Sequence, residues 1–132
     1  MKKLSLLLLI TVSFLTSCSQ FQKLLKSNDN ELKYNEAKAF YDKKDYNHAA
    51  QLFEDISTYY KGTDRSEDVM YYLAKSYAGQ KDFYSAGENF KGYIKSFPRG
   101  RYAEESYFMI GYSSYLDSPD ARLDQSSTND AI

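Results

Sequence analysis

The sequence predicts an all-α chain, a solenoid of antiparallel helix pairs that follows an N-terminal export signal. Three observations predict it. First, the chain matches itself at a step of 37 residues: Ala37 meets Ala74, Lys38 meets Lys75, Lys44 meets Lys81, Asp45 meets Asp82, Ala49 meets Ala86 and Phe53 meets Phe90. Second, no stretch alternates apolar and polar residues well enough for a strand. Third, aromatics make up 17% of the chain and recur three or four residues from those alanines, as core material on paired helices requires. A length of 132 residues leaves room for one small domain or a few units of a repeat.

Composition removes several function classes. Lys and Arg number 17 against 18 Asp and Glu, so the basic excess of a nucleic-acid binder is missing. One Cys and one His are too few for a disulfide scaffold or a zinc site built on two or more such ligands.

The first element is an address. Met1-Lys2-Lys3 precedes an apolar run from Leu4 to Leu15, shorter than the span of about twenty residues a membrane helix needs. The run closes in Leu15-Thr16-Ser17-Cys18, which resembles the lipobox of bacterial lipoprotein signals. That resemblance implies cleavage between Ser17 and Cys18. It also implies a thioether-linked diacylglycerol and an N-acyl lipid on Cys18, and no other cofactor is expected. Several acyl chains together give stable anchoring. Ser19 in place of Asp implies the outer membrane, and the lack of an acidic tract implies its periplasmic face. Residues 1–17 are thus read as signal peptide and 18–30 as lipidated N-terminus and polar tether.

The remaining 31–132 divide at the repeat step into units of about 31–63, 64–100 and 101–132. Helices are predicted over 31–43, 46–60, 66–79, 83–97 and 102–116. Asp64 with Glu67, and Ser85 with Glu88, have capping-box spacing, while Gly62 and Gly100 stand where the chain leaves a helix. Small residues mark helix crossings: Ala37 against Ala49, and Ala74 against Ala86, with Gly111 at the same place in the third unit. The stretch from Asp117 to Asn129 is longer than the equivalent loops, and Ala131-Ile132 falls where the third unit's second helix is expected to begin. The third helix pair is therefore expected to be incomplete, leaving Phe108, Ile110 or Tyr115 exposed on a chain that forms the front part of a longer protein.

The second unit shows the pattern best, in Leu73-Ala74, Tyr77, Lys81-Asp82-Phe83, Ala86, Phe90, Tyr93 and Pro98, and it resembles the tetratricopeptide repeat (TPR). The lipobox, Gly62-Thr63-Asp64, Phe97-Pro98-Arg99-Gly100-Arg101-Tyr102 and the tract Arg122-Leu123-Asp124-Gln125-Ser126-Ser127-Thr128 together resemble the BamD (YfiO) family, in its Bacteroidetes branch. The resemblance implies a TPR lipoprotein of the outer-membrane β-barrel assembly machinery. Its partners would be the central barrel-forming subunit and unfolded outer-membrane proteins, with a membrane contact through the lipid and no nucleic acid. A generic periplasmic TPR adaptor, for instance one coordinating cell-wall synthesis with envelope constriction, is the alternative.

By repeat register, the outward positions of each unit's first helix are Tyr34, Lys38 and Tyr41, then Tyr71 and Lys75, then Phe108, Tyr112 and Tyr115. Tyr34, Lys38, Tyr41, Tyr71, Lys75, Phe108 and Tyr112 form the candidate peptide-binding set, since aromatics with two lysines suit an extended segment carrying aromatics and a carboxylate. For any one of these residues the simpler reading is that the tyrosines pack against neighbouring helices and the lysines are solvated. No catalytic residues are expected: His48 has no nucleophile at readable spacing, and Asp64, Glu67-Asp68 and Glu104-Glu105 sit where acids favour a helix N-terminus.

Overall fold

A computed structural model describes residues 20–118, and every regular element among them is a helix. The signal peptide, Cys18 and most of the 117–129 tract lie outside the described residues. Residues 20–26 are helical, and this described stretch is called α1. It is followed by α2 (Asn30–Asp42), α3 (Tyr46–Tyr60), α4 (Ser66–Gly79), α5 (Phe83–Ser96) and α6 (Ala103–Asp117). From α2 onward each helix packs on the next, and α2 also touches α4, so the pairs stack as a TPR-like solenoid.

Asp residues start three of these helices. Asp29 accepts the amide of Leu32, Asp45 that of His48, and Asp82 that of Ser85. The capping-box expectation is thereby corrected. Ser85 lies inside the first turn of α5, because Asp82 already holds its amide, and α4 starts at Arg65 with no side-chain cap. Glu67 and Asp68 occupy the first turn of α4 instead. Gly62 leaves α3 with φ +79°, a left-handed conformation that glycine adopts without a Cβ penalty.

The alanine crossings are as expected. Ala37 and Ala49 lie fully buried with Leu52, Phe53 and Ile56 in one core cluster, and Ala74 and Ala86 with Phe90 and Tyr93 in a second. Each large apolar side chain so buried contributes about 1.5–3 kcal/mol. Helix α6 lies on α5 through small residues, Ala103, Ser106 and Ser113, and a Cβ on Gly87 would stand 3.5 Å from that of Ser113. Phe108 and Tyr115 are exposed, whereas Ile110 packs against the second cluster, so the expectation of exposure fails for that residue.

The tether reading of 18–30 needs correction over 20–26. Phe21 is buried, with its ring 4.1 Å from that of His48 and 5.7 Å from that of Phe40. The buried Lys33 ammonium donates to the Leu25 carbonyl (2.8 Å) and to Asp55 (2.6 Å), fastening the end of α1 to α2 and α3. Phe21 belongs to the first core cluster, and Leu24 and Leu25 pack against it. Phe21, Leu24 and Leu25 stand at i, i+3 and i+4, the spacing that makes this possible.

Both helix pairs turn through a lysine in the left-handed region, Lys44 at φ 62° and Lys81 at φ 64°. A residue with a Cβ pays roughly 1–2 kcal/mol there. The two turns share one edge of the solenoid: Asn47 donates to the Gln80 amide oxygen (3.3 Å), and Gln80 donates to the Tyr46 carbonyl (3.3 Å). Gly79 admits the Tyr46 ring, which a Cβ would meet at 2.5 Å.

Candidate functional site

Helices α2, α4 and α6 are the first helices of successive units, and tyrosines of α2 and α4 meet carboxylates of the following unit. At the first boundary the Tyr34 hydroxyl donates to Asp68 (3.2 Å), while Arg65 donates to Glu31 and places its guanidinium 4.7 Å from the Tyr34 ring centre. Advancing every member by 37 residues gives the second boundary. The Tyr71 hydroxyl donates to Glu105 (2.6 Å), Tyr102 donates to Asp68 (2.8 Å), and the Tyr102 ring stacks on Tyr71 at 3.9 Å. Asp68 therefore serves both boundaries. The second adds a hub on Glu67, which accepts from Tyr93 (2.6 Å) and from the Arg101 amide, while the Arg101 guanidinium reaches Asp68 at 2.9 Å.

The electrostatics keep these groups in one protonation state near neutrality. Burial, then Asp68, pushes the Tyr34 hydroxyl up to about 12. Burial raises Tyr41 and Tyr93 to about 12 as well, the latter with help from Glu67. Burial with Glu105 takes Tyr71 far above its ordinary value, and burial with Asp68 does the same for Tyr102. Burial pushes Glu105 upward too, but Lys75 and the Tyr71 hydroxyl outweigh it and leave its pKa below the usual value. Glu67 ends lowered in the same way, burial being outweighed by Tyr93 and Arg101. Hydroxyls held neutral and carboxylates held charged make firm structural contacts and poor proton shuttles. His48, the sole imidazole, contacts Asp45 at 2.7 Å and lies beneath Phe21.

Beside the second boundary lies an open cleft of about 380 Å³. Tyr41, Lys75 and Tyr112 line it together with Met109, Leu116 and Lys81. The structure thus gathers three of the seven candidate binding residues. Tyr34 and Tyr71 take part in the boundary networks, and the Lys38 ammonium sits 3.3 Å above the Tyr72 ring. Phe108, 66% exposed, stacks on Tyr112 at 5.7 Å and extends the aromatic surface along α6 with Tyr115. Lys75 donates to Glu105 at 2.7 Å, so its ammonium joins the second boundary to the cleft.

Sequence reasoning missed the carboxylate partners and Tyr102. A signal for the former was present, since Glu31, Asp68 and Glu105 are acids at successive 37-residue steps.

A family model described as "YfiO: Outer membrane lipoprotein" matches residues 26–132. No curated protein matches the chain.

Proposed function

The chain belongs to the YfiO family of outer-membrane lipoproteins, and on that premise we propose that it serves as a docking scaffold for outer-membrane barrel assembly. In this reading Cys18 carries the lipid that holds the chain on the periplasmic face. Unfolded outer-membrane proteins are engaged at the α2–α4–α6 cleft, and the central barrel-forming subunit docks elsewhere on the solenoid.

The observation that carries the reading is the cleft itself. Its walls are aromatic and apolar, through Tyr41, Met109, Tyr112 and Leu116, and Lys75 is among the residues that line it. An aromatic side chain seated against Tyr112 removes apolar area from water, and a free carboxylate near Lys75 gains a charge-assisted hydrogen bond. Extended segments with aromatic residues and a chain terminus present both features. The cleft needs no rearrangement to receive one, because the boundary networks already fix the spacing of α2, α4 and α6.

The test is a fluorescent peptide ending in an aromatic residue with a free carboxylate, titrated with the full chain and followed by anisotropy. Its C-terminal amide should bind about tenfold more weakly, as should the free acid to Tyr112→Ser, with helicity unchanged. Equal affinity of acid and amide, or no effect of Tyr112→Ser, removes the cleft as the binding site.

A further inference from the structure

We propose that the solenoid edge formed by the two helix-pair turns, with Lys43, Lys44 and Lys81 at its tips, rests on an anionic phospholipid surface. The inference rests on the Cys18 anchor proposed above and adds an orientation to it.

The first support is reach. Phe21 is packed on Phe40 and His48, beside the α2–α3 turn, and lines a small pocket there with Asp45. Cys18 stands three positions before it, and an extended chain covers about 3.3–3.6 Å per residue. A lipid on Cys18 is consequently tied within about 11 Å of the Phe21 backbone, which itself lies beside the α2–α3 turn. A long flexible tether would leave the orientation free, whereas docking of α1 removes that freedom.

The second support is strain. Lys44 and Lys81 are the two described residues other than glycine with positive φ, at equivalent places in consecutive repeats. Glycine or asparagine fits that conformation better, so a long cationic side chain stands twice where the backbone disfavours it. Both are exposed, as is Lys43, and among the described residues none of the three ammonium groups has an ion-pair partner. Asp45 and Asp82 lie on the same edge, but their carboxylates are committed to the starts of α3 and α5, which leaves Asp42 as the remaining acid of the two turns. The tips therefore present ammonium groups outward, next to the anchor. Lysines at a membrane surface add to a lipid anchor by attraction to anionic headgroups, an effect confined to about a Debye length.

The experiment uses the full lipidated chain in vesicles of phosphatidylcholine, with or without phosphatidylglycerol. Cys18 is the only cysteine and carries the lipid, so Asn47→Cys places a single fluorophore on the turn edge and Lys61→Cys one at the other end of α3. Quenching by headgroup-labelled lipid should be stronger at position 47, and phosphatidylglycerol should increase that excess. Lys44→Gly with Lys81→Gly should lower the phosphatidylglycerol-dependent excess about fivefold per lysine, while thermal stability holds or rises because glycine relieves the turns. Equal quenching at both positions, or an excess indifferent to phosphatidylglycerol and to the glycine pair, overturns the orientation. A wild-type chain that partitions into vesicles no better than Cys18→Ser overturns the anchor and the orientation with it, so the two failures are distinct.

Discussion

The two repeat boundaries are built to one plan with different parts. Position 65 in the first and position 102 in the second are one repeat apart, and each covers the face of a tyrosine. Arg65 does so as a cation above Tyr34, and Tyr102 does so as a ring stacked on Tyr71. Each also bonds the acid one repeat earlier, Arg65 to Glu31 and Tyr102 to Asp68. The repeat therefore preserves a geometry, a planar group over a tyrosine with a carboxylate at its edge, and leaves open which side chain supplies it. Guanidinium and phenol are both flat, and both donate hydrogen bonds in their own plane. The boundaries differ in depth as well. Tyr34 is half-buried and Tyr71 buried, and only the second boundary carries the Glu67 hub with Tyr93 and Arg101.

Alkaline titration should disturb both boundaries most. A tyrosine whose folded pKa lies above its ordinary value of 10 contributes stability that is complete below that pH. This contribution is lost as the pH rises from 10 toward the folded value. Tyr34, Tyr41 and Tyr93 set that window at 10 to about 12, and Tyr71 and Tyr102 extend it upward. The melting temperature should fall steeply across the window, and tyrosine absorbance should show ionisation appearing with unfolding. Ionisation that precedes loss of helicity would show the hydroxyls to be less committed than their contacts indicate.

Truncation should then separate the boundaries. Tyr71→Ala removes a buried, stacked ring and should cost about 3–5 kcal/mol in urea unfolding. Tyr34→Ala, at a half-buried site, should cost about 1–3 kcal/mol. Equal losses would mean that the extra burial and the Glu67 hub add nothing. The smallest effect is expected from exchanging the parts. Arg65→Tyr gives the first boundary the chemistry of the second, and should change stability by no more than about 1 kcal/mol if the shared geometry is what matters. A loss of several kcal/mol would show instead that the first boundary depends on the arginine charge.

Much of the fold was legible because its signals are local. The predicted helix limits agree with the structure to within one residue at each end, since turn residues and helical periodicity act within a few positions of one another. Gly62 and the alanine crossings follow from backbone conformation and from side-chain size. The capping boxes at Asp64 and Ser85 misled because spacing alone does not say where a helix starts: α5 begins after Asp82, three residues before Ser85, and α4 begins after Arg65 with no side-chain cap. The candidate site was legible only in part. Repeat register identified the outward side of α2, α4 and α6, yet it could not separate Tyr41, which lines the cleft, from Tyr71, whose hydroxyl is held by Glu105.

The sequence by itself determined an all-helical repeat, its 37-residue step, the placement of its small crossing residues and a family resemblance that the match over residues 26–132 supports. Only the tertiary structure decided that α1 docks through Phe21, that Asp68 is shared by two boundaries, and that Lys75 faces both Glu105 and an open cleft. The physical reason is range. Helix formation and capping are settled among near neighbours in the chain, whereas a tyrosine finds its carboxylate some 34 residues away only after the rotation of one helix pair on the next has set which faces meet.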